Sequence, residues 1–117
     1  MQIRVFQADQ SLTHLALQGR MDSPNVQRIE NGFLALTAGR GKSSIIELED
    51  VSFMVSVGMR MLIEAAKGLK SADQQFILVG PKGLVEDALR IAKLDTIFTI
   101  VETAVEALDK INHEAES

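Results

Sequence analysis

Ser56 is a lone hydroxyl residue between Val55 and Val57 in an otherwise apolar stretch that leads into an amphipathic segment. A serine at the start of a helix can cap its free N–H groups. A phosphate suits the same position, because those N–H groups and the helix dipole favour negative charge there. Gly58 fits either role, since it leaves room for close approach at the helix start. The residues alone therefore leave a capping role and a phosphorylation role open for Ser56.

Residues 39–44 (GRGKSS) are similar to the end of a phosphate-binding loop. The motif requires a glycine five places before Gly41, where this chain has Leu36, and it must open a helix. Here the segment precedes an apolar β-branched run that predicts a strand. We therefore interpret it as a polar turn between a helix and a strand.

The remaining candidates for chemistry are a carboxylate cluster and two histidines. Glu47, Glu49 and Asp50 stand at the end of a predicted strand, but no nucleophile accompanies them, and we expect a solvated acidic rim. His14 in a predicted strand and His113 in the tail have no partner at metal-ligand spacing. Because no triad, metal set or cofactor motif is found, the sequence predicts a protein that is not an enzyme and needs no cofactor.

Composition limits the partners and the compartment. The 117 residues carry a net charge of −4 with scattered basic residues, so we expect no direct nucleic-acid partner. The chain has no cysteine, which is compatible with a reducing compartment. The alternating start MQIRVFQADQ does not resemble a signal peptide, and no apolar stretch approaches the roughly 20 residues that span a bilayer. We expect a cytoplasmic protein without membrane contact.

Hydrophobic periodicity predicts the elements that would position Ser56. An opening hairpin precedes a helix that begins at Asp22-Ser23-Pro24, and strands then alternate with helices. The predicted strands after the hairpin cover residues 44–48, 75–79 and 97–101, and the predicted later helices begin after Val57, near Leu84 and after Thr103. This order indicates an α/β fold with a mixed sheet of about four to five strands and helices mainly on one face. We expect one domain over residues 1–117, with a frayed tail over residues 112–117.

The segment DVSFMVSVGM, residues 50–59, follows the strand SIIEL and resembles the hallmark segment of STAS domains of the anti-sigma factor antagonist type. Two other stretches are similar to the same family. GRMD, residues 19–22, resembles the family's turn before the first helix, and residues 85–100 resemble its C-terminal helix and the stretch that follows. The resemblance covers nearly the whole chain and implies a STAS-like fold.

The resemblance also implies a site. Ser56 matches the serine that a partner kinase phosphorylates in the family, and Asp22 matches an acidic position on the partner-binding face. The chain departs from the family pattern at Val55, where the family has aspartate, and at Val57, where it has a second hydroxyl residue. The implied partner-binding residues are Asp22, Ser23, Met54, Val55, Val57, Gly58, Met59 and Arg60.

The function that the resemblance implies is partner switching. The unphosphorylated protein would bind an anti-sigma factor or a similar regulator that is also a serine kinase, and phosphorylation of Ser56 would break that complex. A metal-dependent serine phosphatase would restore it. Two alternatives remain: a constitutive docking module in which Ser56 is structural, and a domain that binds a nucleotide or another small ligand at the carboxyl ends of its strands.

Overall fold

The computed structural model describes residues 1–116, with side chains described up to His113. Six strands are present: β1 (Gln2–Ala8), β2 (Thr13–Met21), β3 (Ser44–Glu47), β4 (Val51–Met54), β5 (Phe76–Val79) and β6 (Thr99–Val101). Four α-helices accompany them: α1 (Ser23–Leu36), α2 (Ser56–Ser71), α3 (Gly83–Ile91) and α4 (Ala104–Glu116). Strands and helices alternate after the opening hairpin, so the predicted α/β fold is confirmed.

The sheet has the order β1-β2-β3-β5-β6, and β4 pairs separately with β2. Within residues 1–116, only the hairpin pair β1 and β2 is antiparallel. The other pairs are parallel, as strands joined by helical crossovers must be. The first half of β2 pairs with β3 and its second half pairs with β4. One strand therefore carries both the main sheet and the short ribbon that leads to Ser56.

Alternation along the central strands gives the sheet two apolar faces. Ile46 and Leu78 belong to the larger core, which contains buried residues of α1, α2 and α3. Ile45 and Ile77 lie in a smaller cluster with Ile111 of α4. Because consecutive isoleucines point to opposite sides, one short strand serves both cores. Three helices thus cover one face and α4 covers part of the other, which agrees with the expectation of helices mainly on one face.

Helix α1 shows how local sequence sets an element's limits. The Asp22 side chain accepts a hydrogen bond from the backbone N–H of Asn25 at 3.2 Å, and Pro24 lies in the first turn. At the other end, the Thr37 hydroxyl donates to the Phe33 carbonyl at 2.8 Å. The predicted start of this helix is confirmed.

Strand β4 is the main difference from the sequence prediction. Residues 51–54 were expected to lie in a connection to the second helix, and they instead pair in parallel with β2. The sheet consequently has six strands, one more than the upper end of the expected range. Of the predicted frayed tail over residues 112–117, Ser117 and the side chains of residues 114–116 lie outside the described residues. Among residues 1–116, no helix combines the length and apolarity needed to cross a membrane.

Candidate functional site

The pairing of β2 with β4 places the starts of two helices side by side. Met21 and Met54 are partners in the parallel register, and each is followed within two residues by the first residue of a helix. The backbone N–H of Val55 donates to the Met21 carbonyl at 3.0 Å. Asp22 and Ser23 at the start of α1 therefore lie next to Ser56 at the start of α2. The structure thus brings together the two chain segments in which the sequence predicted partner-binding residues.

Ser56 is exposed and is the first residue of α2. The N-cap residue is Val55, with extended backbone angles (φ −103°, ψ 173°), and it makes no side-chain capping bond. The capping role considered for Ser56 is therefore wrong, because the serine already lies inside the helix. Its hydroxyl is left on the surface at a helix start whose capping residue has no acceptor side chain.

Half-buried apolar residues flank Ser56 along the chain. Val55, Val57 and Met59 are all partly exposed, and Val57 and Met59 also contact the larger core. Arg60 lies one turn after Ser56 and is exposed. The result is an apolar surface with one hydroxyl and one cation on α2.

Two of the predicted partner-binding residues lie beneath this surface. Met54 is only 5% exposed, and Gly58 is buried. A Cβ atom added to Gly58 would overlap the side chain of Met21, which is itself fully buried. The close approach expected at Gly58 is therefore made from within the fold, and both residues support the surface rather than form it.

Sequence reasoning missed two residues, Arg20 and Phe53, which are partners in the β2–β4 register. The Arg20 guanidinium carbon lies 4.3 Å from the centre of the Phe53 ring, a cation–π geometry. Arg20 Nε also lies 3.6 Å from Asp22 Oδ2. This cluster could be predicted only from the pairing of β4 with β2. Because the sequence did not predict β4, it did not predict the cluster either.

Glu49, one of the two acidic residues after β3, has a basic partner. Glu49 Oε1 accepts a hydrogen bond from Lys82 Nζ at 2.7 Å, and this bond together with the lysine charge lowers the pKa of Glu49. The same contact raises the pKa of Lys82. Both side chains are more than half exposed, and Asp50 is exposed as well. The predicted solvated rim is therefore confirmed for Glu49 and Asp50 but not for Glu47, which is only partly exposed and pairs with His14.

His14 and Glu47 form a second pair across adjacent strands, with Nε2 and Oε2 2.5 Å apart. The His14 ring also lies against Phe6, with the ring centres 5.0 Å apart. His14 is thus a residue of a strand face, as expected. Among the described residues, no group of three or more metal-ligating side chains could hold an ion.

Residues 39–43 lie in the predicted turn between α1 and β3, and Ser44 is the first residue of β3. Arg40 Nε donates to the Thr13 hydroxyl at 2.9 Å, and another of its nitrogens donates to the Asp9 carbonyl. These bonds join the turn to the neighbouring hairpin. The arginine is thus occupied in holding two loops together.

Residues 4–107 match the STAS domain family. The chain belongs to this family. The match includes both helix starts and the Ser56 surface, so the site described above is part of a STAS domain.

Solved structures show the same fold. The chain is 24% identical to an anti-sigma factor antagonist (STAS) domain protein from Planctomyces limnophilus, with a TM-score of 0.81 over 94% of this chain and 97% of the other. An anti-sigma factor antagonist from Mycobacterium paratuberculosis is 20% identical, with a TM-score of 0.81 over 95% of both chains. Phosphorylated SpoIIAA, a cell fate determinant of Bacillus, is 20% identical, with a TM-score of 0.68 over 94% of this chain and 99% of the other. These likenesses establish the STAS fold.

Proposed function

We propose that residues 1–117 form a single, non-enzymatic STAS domain that switches a cytoplasmic protein partner through phosphorylation of Ser56. Unphosphorylated, it binds an anti-sigma factor or a similar regulator with serine kinase activity. Phosphorylation releases that partner, and a metal-dependent serine phosphatase restores binding. The observation that carries the proposal is the exposed Ser56 hydroxyl at the first position of α2 within an apolar surface.

The position accepts a phosphate without unfolding the helix. The first N–H groups of a helix have no intrahelical acceptor, and the helix dipole favours negative charge beside them. Val55 supplies no capping oxygen. A phosphate on Ser56 would therefore find donors that the unmodified chain leaves to water.

The same phosphate disfavours a complex. It brings nearly two negative charges to a surface to which the half-buried Val55, Val57 and Met59 contribute. Removing those charges from water in an interface costs free energy, and a loss of about 1.4 kcal/mol already lowers the affinity tenfold. A large conformational change is not required for the switch.

SpoIIAA has structures in its unphosphorylated and phosphorylated forms, and it shares the STAS fold of this chain. That pair of structures supports a phosphorylation switch as a use of the fold. Two charged residues near the start of α1, Arg20 in the last part of β2 and the capping residue Asp22, offer a kinase a charged contact beside Ser56. In this chain Val55 stands where the family has aspartate, so a kinase would need another charged contact near Ser56. Arg20 and Asp22 can supply that contact.

Intact-mass analysis of the protein, purified from its own host with phosphatases inhibited, tests the modification. We expect one added phosphate on the wild type and none on Ser56→Ala. Ser52→Ala is the matched control, because Ser52 is also exposed and lies four residues earlier on β4. That variant should carry the phosphate as the wild type does.

Partner capture with Ser56→Ala and Ser56→Asp tests the consequence. The alanine variant should retain a regulator that the aspartate variant loses, with at least a tenfold difference in affinity. If no phosphate appears even when host kinases and ATP are supplied, and both variants hold the same partner equally, the switch is wrong. The two valines beside Ser56 favour the second candidate in that case, a constitutive docking module.

A further inference from the structure

A groove of about 680 Å³ lies at the edge of the sheet opposite to Ser56. Its walls are the second half of α2 and the turn before β6, and it opens beside the amino-terminal ends of β5 and β6. Phe76 and Phe98 lie at its inner side with ring centres 5.9 Å apart, and both are less than a tenth exposed. Ile97 stands at the rim with 69% of its surface exposed. The groove is therefore apolar inside and has an unburied aliphatic side chain at its edge.

Among the residues whose side chains are described, the charges that line the groove are of one sign. Lys67 and Lys70 border it from α2, and none of the described carboxylates lines it. The whole chain has 16 acidic and 12 basic residues. A groove bordered by two lysines therefore has the opposite charge to the chain as a whole. Neither lysine forms an ion pair with another side chain among residues 1–113. The groove therefore offers an anion two ammonium groups beside an apolar wall.

We propose that this groove binds a small carboxylate that carries an apolar chain. Its volume lies within the range of about 300–1,000 Å³ that is usual for small-molecule sites. The apolar chain of the ligand would cover Ile97 and contact the two phenylalanines. The carboxylate of the ligand would lie between Lys67 and Lys70. The two lysines at the rim favour an anionic group, and the apolar interior of the groove favours a hydrocarbon chain. Both features therefore favour an amphipathic ligand.

This site is separate from the proposed switch. Lys67 and Lys70 lie 11 and 14 residues after Ser56 on α2, about 17 and 21 Å along the axis at 1.5 Å per residue. Binding in the groove does not depend on phosphorylation or on a protein partner, so either proposal can fail without the other.

Titration of the ¹⁵N-labelled full chain with octanoate, followed by amide resonances, tests the proposal. We expect saturable shifts confined to residues around the groove, such as Ala66 and Thr99. Propionate has the charge without the chain, and 1-octanol has the chain without the charge. Both should bind at least several-fold more weakly than octanoate.

Replacement of both lysines, Lys67→Gln with Lys70→Gln, should weaken octanoate binding about three- to tenfold, the range for two exposed ion pairs. Lys93→Gln, an exposed lysine outside the groove, is the matched control and should bind octanoate as the wild type does. Ile97→Ser should weaken binding with both lysines intact. The proposal is overturned if octanoate causes no saturable shifts, if its shifts scatter over the surface, or if the double glutamine variant binds it like the wild type.

Discussion

At the scale of single residues, the packing beneath Ser56 depends on the absence of one methyl group. The start of α2 lies so close to β2 that any side chain at Gly58 would meet the buried Met21. Met21 is fully buried, and its sulfur has no empty space to enter without displacing neighbours. The position of the exposed Ser56 therefore depends on the buried contact between Gly58 and Met21, which a partner protein cannot reach.

We expect Gly58→Ala to lower the free energy of unfolding by about 1–3 kcal/mol, the usual cost of overpacking. Urea unfolding followed by far-UV circular dichroism measures it, since the chain has no tryptophan or tyrosine for fluorescence. Gly32→Ala is the control, because nothing lies within 4 Å of a Cβ atom there and the residue is helical. That substitution should raise the stability by about 0.5–1 kcal/mol. Equal stability of the two variants would contradict the packing between Gly58 and Met21.

At the scale of elements, α2 begins with an unused capping position. Val55 has the extended backbone of an N-cap residue but no oxygen to accept from the first turn. Helix α1, which starts beside it, has Asp22 in the same role. The two neighbouring helix starts therefore differ at the N-cap position, where α1 has the carboxylate of Asp22 and α2 has no side-chain acceptor.

Val55→Asp should add the missing cap and raise the free energy of unfolding by about 0.5–2 kcal/mol relative to Val55→Ala. The alanine variant is the reference because it removes the valine contacts without adding an acceptor. Thermal unfolding of both variants at neutral pH measures the difference. An aspartate variant no more stable than the alanine variant would show that the helix start is already satisfied by other groups.

The sequence predicted α1 but not β4, because the signals that define α1 are local and the contact that defines β4 is not. The signals of α1 are local: a capping aspartate, a proline in the first turn and an apolar stripe. Strand β4 has four residues and pairs with the second half of β2, so that Met54 lies opposite Met21. The existence of β4 therefore depends on a long-range contact that no local pattern reports. The Arg20 and Phe53 pair was missed with it, whereas Ser56 was singled out from its own sequence context and Asp22 from the family resemblance.

At the scale of the whole molecule, the sheet has a large core on one side and a small one on the other. Helix α4 contributes Ala107 and Ile111 to the small cluster, in which the strands supply the other buried residues. The sequence predicted helices mainly on one face, and the continuous apolar runs of β3 and β5 place buried side chains on both faces. Which helix covers the second face was not predictable, because the amphipathic pattern of α4 does not distinguish the two sides.

We expect α4 to open more readily than α2, because fewer buried contacts hold it. Ile111→Ala removes a buried side chain and should speed amide hydrogen exchange in α4 far more than in α2. Val105→Ala is the control on the same helix, since Val105 is 67% exposed and should change exchange little. Equal acceleration in both helices would show that the two cores unfold as one unit.

The division of β2 between two partners also fixes how long one connection must be. Only residues 48–50 join β3 to β4, and both strands are in register with the same strand β2. One inserted residue there would move everything after it by about 3.3 Å along β2 and turn its side chains to the opposite face. Ser56 would then no longer lie beside Asp22. Insertions and deletions should therefore be tolerated poorly between β3 and β4, and much better in the exposed hairpin turn between β1 and β2.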